Sequence, residues 1–189
     1  ASGAAFTTTS GNTYVEGSWT NNGTFDANNG NVIFDGSGTS TITGDNTFYN
    51  FHCVMAGKTL NFSSSDLQTV SNWFVISGSQ SGDYSGNISI NNLTSDITNS
   101  HVSYATVTDS DNSAGELIKA SFSLDMGGNT NWQFHDLIIW TGKINSDWDT
   151  AGNWANGIVP DADNNVLIYT QPGGHDLDIT ESESANSFT

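Results

Sequence analysis

Short β-prone runs alternate with Asn/Gly/Asp/Ser turns along almost the whole chain, and this grammar constrains the fold more than any single motif. Thr13–Thr20, Asn31–Phe34, Thr39–Thr43 and Thr59–Phe62 are such runs, and Asn21-Asn22-Gly23 and Asn28-Asn29-Gly30 are turns set among them. Apolar residues alternate with Thr, Ser and Asn, which buries one face of each strand and wets the other. Most units end at or near Gly, whose backbone tolerates the positive φ of a tight corner. Similar units return roughly every 20–25 residues, the pattern of a chain wound into stacked β coils.

Composition agrees with an all-β chain. Ser, Thr, Asn and Gly make up roughly half of the residues, and they suit turns better than helix interiors. No stretch keeps apolar residues at sustained helical spacing, and Ala114–Ala120 is too short to count as a helix. The 189 residues give ample length for a buried core.

Charge narrows the partners. The chain has 3 cationic side chains, all Lys, against 20 acidic ones, for a formal net charge of -17. Phosphate backbones need clustered cations, so nucleic acid is disfavoured. Anionic membrane surfaces are disfavoured for the same reason, and no apolar run reaches spanning length. Cys53 is the single cysteine, and the run Phe48–Met55 around it reads as a buried strand. Few Lys and no Arg leave few trypsin-type cleavage points, which fits a secreted chain with a polar coat.

Longer strands follow the first coils. Leu67–Val70, Trp73–Ile76, Asn87–Ile90 and His101–Thr108 are expected strands. In the last, strict alternation places Val102, Tyr104, Thr106 and Thr108 on one face. Composition changes near Leu137–Trp140, where a Trp-rich segment begins. The expected organisation is therefore 1–139 as a coiled β module and 140–189 as the start of a second β module or coil set.

The candidate sites are few. Asp109, Asp111 and Asn112, with Glu116 nearby, form an oxygen-rich loop, and Asp161 and Asp163 form a second one, with Asp147 and Asp149 close in sequence. Hard cations take six to eight oxygen ligands, so calcium is the ion these loops would suit, although Asp and Asn in turns also hydrogen-bond their own backbone. No other cofactor is implied. Trp140, Trp148 and Trp154, with Trp19, Trp73 and Trp132, would stack on sugar rings if exposed and would fill a core if not. Thr39, Thr41 and Thr43 alternate on one strand in the manner of a water-ordering face. His52, His101, His135 and His175 are dispersed without ligand-like spacing. No nucleophile elbow or assembled acid–base pair is visible, so a non-enzymatic role is expected, with a polysaccharide-active enzyme as the distant alternative.

The residues 17–25, 32–38 and 42–50 (Gly-Ser-Trp-Thr-Asn-Asn-Gly-Thr-Phe, Val-Ile-Phe-Asp-Gly-Ser-Gly and Ile-Thr-Gly-Asp-Asn-Thr-Phe-Tyr-Asn) resemble the coils of bacterial secreted and cell-surface repeat proteins of the right-handed parallel β-helix, or β-solenoid, type. Val102–Asp111 through Gly127–Trp132 resembles the closing coils of such modules, and Trp140–Ile168 the opening of a following one. The resemblance implies an adhesin-like extracellular protein. Tail joined to head, Asp178–Phe188 and Ala4–Val15 read as consecutive coils. The resulting expectation is a repeat unit, or a subunit, that assembles end to end with itself into a surface filament, appendage or sheath. The alternative is a glycan- or surface-binding adhesin module. The competing fold is a pair of antiparallel β-sandwiches.

Overall fold

The computed structural model describes residues 4–81, 85–135, 137–155, 157–161, 164–168, 173–178 and 187–188. It is all-β with parallel sheets, and the chain divides into two compact units, Ala1–Gln133 and Phe134–Thr189.

The first unit begins with β1 (Ala5–Thr7), β2 (Asn12–Val15), β3 (Trp19–Thr20) and β4 (Thr24–Asp26). It continues through β5 (Asn31–Phe34), β6 (Thr39–Thr43), β7 (Asn46–Cys53), β8 (Thr59–Phe62) and β9 (Leu67–Ser77). Then come β10 (Ile88–Asn91), β11 (Thr94–Ile97), β12 (Ser100–Ser103) and β13 (Ala105–Thr108). β14 (Ile118–Ser121) and β15 (Leu124–Asp125) follow, and β16 (Trp132–His135) begins in the first unit and ends past its Gln133 boundary.

The chain alternates between two large sheets. β2, β5, β7, β9, β12, β14 and β16 lie side by side in an eight-stranded sheet, with β11 also paired to β9. β3, β6, β8, β10, β13 and β15 lie in the same sequence order in a six-stranded sheet. β1 and β4 form a separate parallel pair. From β5 to β10 each circuit of chain adds one strand to each large sheet. A parallel neighbour cannot be reached by a tight hairpin, so the intervening strand and corners carry the chain back. The register records the circuit length. Asn12 sits opposite Asn31 and Asn31 opposite Asn50, each 19 residues on, whereas Asn61 lies opposite Asn91, 30 residues on. The hairpin-linked strands of an antiparallel sandwich are not found among the described residues.

Alternation does the packing. Val32 and Phe34 on β5, Phe51 and Cys53 on β7, and Phe74 and Ile76 on β9 point inward and are buried. Leu60 and Phe62 on β8 and Ile88 and Ile90 on β10 meet them from the other sheet's side of the core. Because successive circuits stay in register, like residues stack. The Phe34 and Phe51 rings are 4.9 Å apart, and the Phe51 and Phe74 rings 5.4 Å. Burying each such ring stabilises the fold by about 1.5–3 kcal/mol. Gly36 is where corners touch: a Cβ there would lie 2.0 Å from the Glu16 carbonyl oxygen.

Two expectations change. Leu67–Val70 and Trp73–Ile76 are one strand, β9, which pairs with β11 along its first part and with β12 along its second. His101–Thr108 is two strands rather than one. Tyr104 adopts φ 49°, and this left-handed residue turns the chain from one sheet into the other. The alternation therefore changes phase there, and Val102 shares the inward side with Ala105 and Val107 rather than with Tyr104, Thr106 and Thr108.

The second unit has its own three-stranded parallel sheet, in which β17 (Leu137–Ile139), β18 (Asn165–Leu167) and β19 (Ser187–Phe188) follow in order. Ile138, Trp140, Trp148, Trp154 and Val166 form its core, with Val159, Ile168 and Leu177 packed against them.

Candidate functional site

The Asp109–Glu116 loop is built around one buried amide. Asn112 Oδ1 accepts from Ser95 Oγ at 2.8 Å and from the Ile97 N–H at 2.9 Å. Its Nδ2 donates to the Ile97 carbonyl at 3.0 Å and the Glu116 carbonyl at 2.7 Å. Both donors and both lone pairs are thus used within the protein. Asp111 bridges Thr94 and Thr130 through its backbone, and its Oδ1 accepts from the Ser113 N–H at 2.8 Å. Asp109 adopts φ 49° at the corner after β13. The loop sits where three circuits meet, and its polar atoms hold those circuits together.

The second oxygen-rich region has the same economy. Asn153 is fully buried, and its Oδ1 accepts from the N–H groups of Ile144 and Asn145 at 2.9 and 3.0 Å. Its Nδ2 donates to Asn145 Oδ1 at 2.6 Å and to the Asp147 carbonyl at 2.8 Å. Asp147 receives the Asp149 N–H and the Thr150 hydroxyl, each at 3.1 Å. The Asp161 N–H donates to Asn164 Oδ1 at 2.9 Å in a turn of its own. Asp163 lies outside the described residues. No group of three or more His, Cys, Asp or Glu able to hold a metal ion occurs among the described residues.

The three Trp side chains lie in the core of the second unit, each 2 % exposed. Trp154 packs edge-to-face against Trp140 at 4.9 Å and against Trp148 at 4.8 Å. Trp154 Nε1 donates to the Trp148 carbonyl at 2.8 Å and Trp140 Nε1 to the His175 carbonyl at 3.0 Å. Stacking on a sugar needs an open ring face, and these faces are occupied by one another.

Two features of the first unit went unread in the sequence. One is an amide ladder. Asn31 Nδ2 donates to Asn12 Oδ1 at 2.7 Å, Asn50 Nδ2 to Asn31 Oδ1 at 2.7 Å, and Asn72 Nδ2 to Asn50 Oδ1 at 2.8 Å. Asn31 and Asn50 each donate to the amide before and accept from the amide after, a chain that polarises cooperatively. The signal was present: Asn12, Asn31, Asn50 and Asn72 recur at steps of 19, 19 and 22 residues, each just before an alternating apolar run.

The other is an aromatic column that runs out into solvent. Phe48, Phe25 and Phe6 follow one another, with Phe25 5.4 Å from Phe48 and 6.2 Å from Phe6. Trp19 packs against all three, and its Nε1 donates to Asn46 Oδ1 at 2.8 Å. Phe6, the last ring, is 51 % exposed. Together with Trp19 and Phe25 it lines a hollow of about 370 Å³ at that end of the unit. β1, β2 and β3 each pair on one side only among the described strands.

Burial governs the titratable groups inside. It holds the Cys53 thiol above its ordinary value, opposed by a hydrogen bond with the Met55 backbone and by the charge of Lys58. Lys58 is fully buried, and its Nζ donates to the Gly36 carbonyl. His52 is pulled below its ordinary 6.5 by burial. Asp66 sits below its ordinary 3.8 because the Gly44 N–H, and then Ser63, hydrogen-bond its carboxylate.

Comparison of the chain with family models, with curated proteins and with solved structures finds no match.

Proposed function

We propose that this chain is a non-enzymatic, extracellular structural module of a bacterial surface. Its first unit winds as a right-handed β-solenoid and is extended end to end by a neighbouring rung. The observation that carries this reading is that β1, β2 and β3 each pair on one side only among the described strands. A parallel edge leaves backbone N–H and C=O groups unpaired, and Phe6 continues the buried aromatic column into water. A further rung laid on β1, β2 and β3 would pair those groups and cover that ring, a gain of about 1.5–3 kcal/mol for full burial of such a side chain. β19, paired only to β18 among the described strands, offers a complementary edge on a second copy. Ser187-Phe188-Thr189 also repeats the pattern of Ala5-Phe6-Thr7 and Thr24-Phe25-Asp26.

A scaffold role is further supported by the use made of the polar groups. The side chains of Asn112 and Asn153 are spent on fixing backbone, and the amide ladder ties successive circuits to one another. Adhesion to a glycan through Trp140, Trp148 and Trp154 gains no support from rings that are packed together.

Light scattering and negative-stain electron microscopy across a concentration series test the reading. The expected result is concentration-dependent linear particles that Phe6→Asp abolishes while the melting temperature stays nearly unchanged. Monomers at every concentration, or assembly unaffected by Phe6→Asp, would overturn it.

A further inference from the structure

We propose that the outward face of the eight-stranded sheet binds a linear, uncharged polysaccharide laid across the strands. The register builds this face. Tyr14, Ile33, His52, Val75 and His101 stand opposite one another in turn on β2, β5, β7, β9 and β12. Lys119 continues the row on β14, one position before the Val102–Ala120 pair. A second row beside it holds Asn12, Asn31, Asn50 and then Trp73.

Three observations select the occupant. First, Tyr14 is 62 % exposed and Trp73 46 % exposed, and they are the exposed large aromatic side chains of the described residues outside the Phe6 hollow. Both stand on this face. Three strand intervals separate β2 from β9, about 14 Å at the usual strand spacing. A hexopyranose ring is about as long as one such interval of 4.7–4.9 Å. A straight glycan could therefore stack on Tyr14 and on Trp73, with units in between over Ile33, His52 and Asn50. Second, the rows between the two aromatics supply imidazole and amide groups, which hydrogen-bond hydroxyls. The surface is also set in advance. Asn12 Nδ2 donates to the Tyr14 hydroxyl at 3.1 Å, and Asn50 Oδ1 receives both the Asn72 amide and the Trp73 N–H. Little ordering cost remains to be met on binding.

Third, charge excludes the competitors. The row from Tyr14 to Lys119 carries no carboxylate although the chain has 20, and Glu16 and Asp35 stand one row over beside β2 and β5. One lysine on a body of net charge -17 does not recruit a polyanion, and the same charge opposes face-to-face approach of two copies. An uncharged polymer meets neither barrier. The glycan face uses outward side chains, Tyr14 on β2 among them, whereas assembly uses the backbone edges of β1, β2 and β3 and the Phe6 ring, so different substitutions test the two.

Affinity electrophoresis through native gels containing galactomannan, xyloglucan or mixed-linkage β-glucan tests the proposal, with alginate and plain gels alongside. The expected result is retardation in at least one neutral gel and none in alginate. Tyr14→Ala and Trp73→Ala are each expected to weaken retention about tenfold, the factor set by 1.4 kcal/mol. Met126→Ala, at an exposed site just past β15 of the other sheet, should leave it unchanged. Melting curves establish that each variant is folded. No retardation in any neutral gel, retardation in alginate alone, or retention insensitive to both aromatic substitutions would overturn the proposal. Self-association lost on Trp73→Ala without glycan retention would also overturn it. Loss of end-to-end assembly in Phe6→Asp with retention intact would leave the glycan face standing and test only the assembly.

Discussion

Asn50 shows how much one polar side chain can do in this chain. It donates to the circuit before it and accepts from the circuit after it, so removing it orphans partners on both sides. Asn50→Ala should cost about 1–3 kcal/mol in chemical denaturation. Asn12→Ala, at the exposed end of the ladder, should cost a few tenths of that. Equal losses at the two positions would argue against a ladder that gains strength toward its middle. His52 gives a pH signature. Its folded pKa lies below 6.5, so the unfolded chain takes up a proton first as pH falls. The contribution is complete above 6.5 and declines below it until the folded pKa is reached. Denaturation at pH 7.5 and pH 5.5 should show lower stability at the acid value, and His52→Gln should shrink the difference. Cys53 is buried with its thiol shifted upward, so it should react with a thiol reagent only as fast as the protein opens. Rapid labelling under native conditions would place the side chain elsewhere. The residue-level chemistry was the least legible in the sequence. Asp111 and Asn112 looked like ligands because a turn and a cation ask for the same oxygens, and only the three-dimensional partners of Asn112 show where its capacity went.

Strands were legible because their alternation is a local property. Asn31–Phe34, Thr39–Thr43 and Thr59–Phe62 stand in the structure with the bounds their pattern gave. The phase of His101–Thr108 was not, because one residue in a left-handed conformation at Tyr104 shifts every later side chain by one face. Nothing in Ser-Tyr-Ala announces that bend; it is imposed by the need to change sheets. Corners carry the corresponding risk for substitution. Gly44 adopts φ 85° between β6 and β7, and a Cβ there would lie 1.9 Å from the Asn21 carbonyl oxygen. Gly44→Ala should cost about 1–3 kcal/mol from the backbone conformation, with the clash added. An unchanged melting temperature would show that this corner is looser than described.

At the scale of the molecule, the grammar of short strands and turns indicated an all-β chain, the resemblance to β-solenoid coils implied parallel pairing, and the sheets are parallel. Circuits of 17 to 30 residues explain why no fixed repeat length could be read: corners vary while strand rows stay aligned. Long sequence separation between paired strands also predicts slow folding, since each contact closes a loop of that length. The most direct measurement of the stacked-rung claim uses pairs of spin labels on the outward row, in a background with Cys53 replaced by Ala. Labels at Tyr14 with Val75, His101 or Lys119 span three, four and five strand intervals, about 14, 19 and 24 Å between Cα atoms. Pulsed electron–electron resonance should give distances that grow in even steps along this series. Distances that fail to grow in that order would contradict a chain wound into successive parallel rungs.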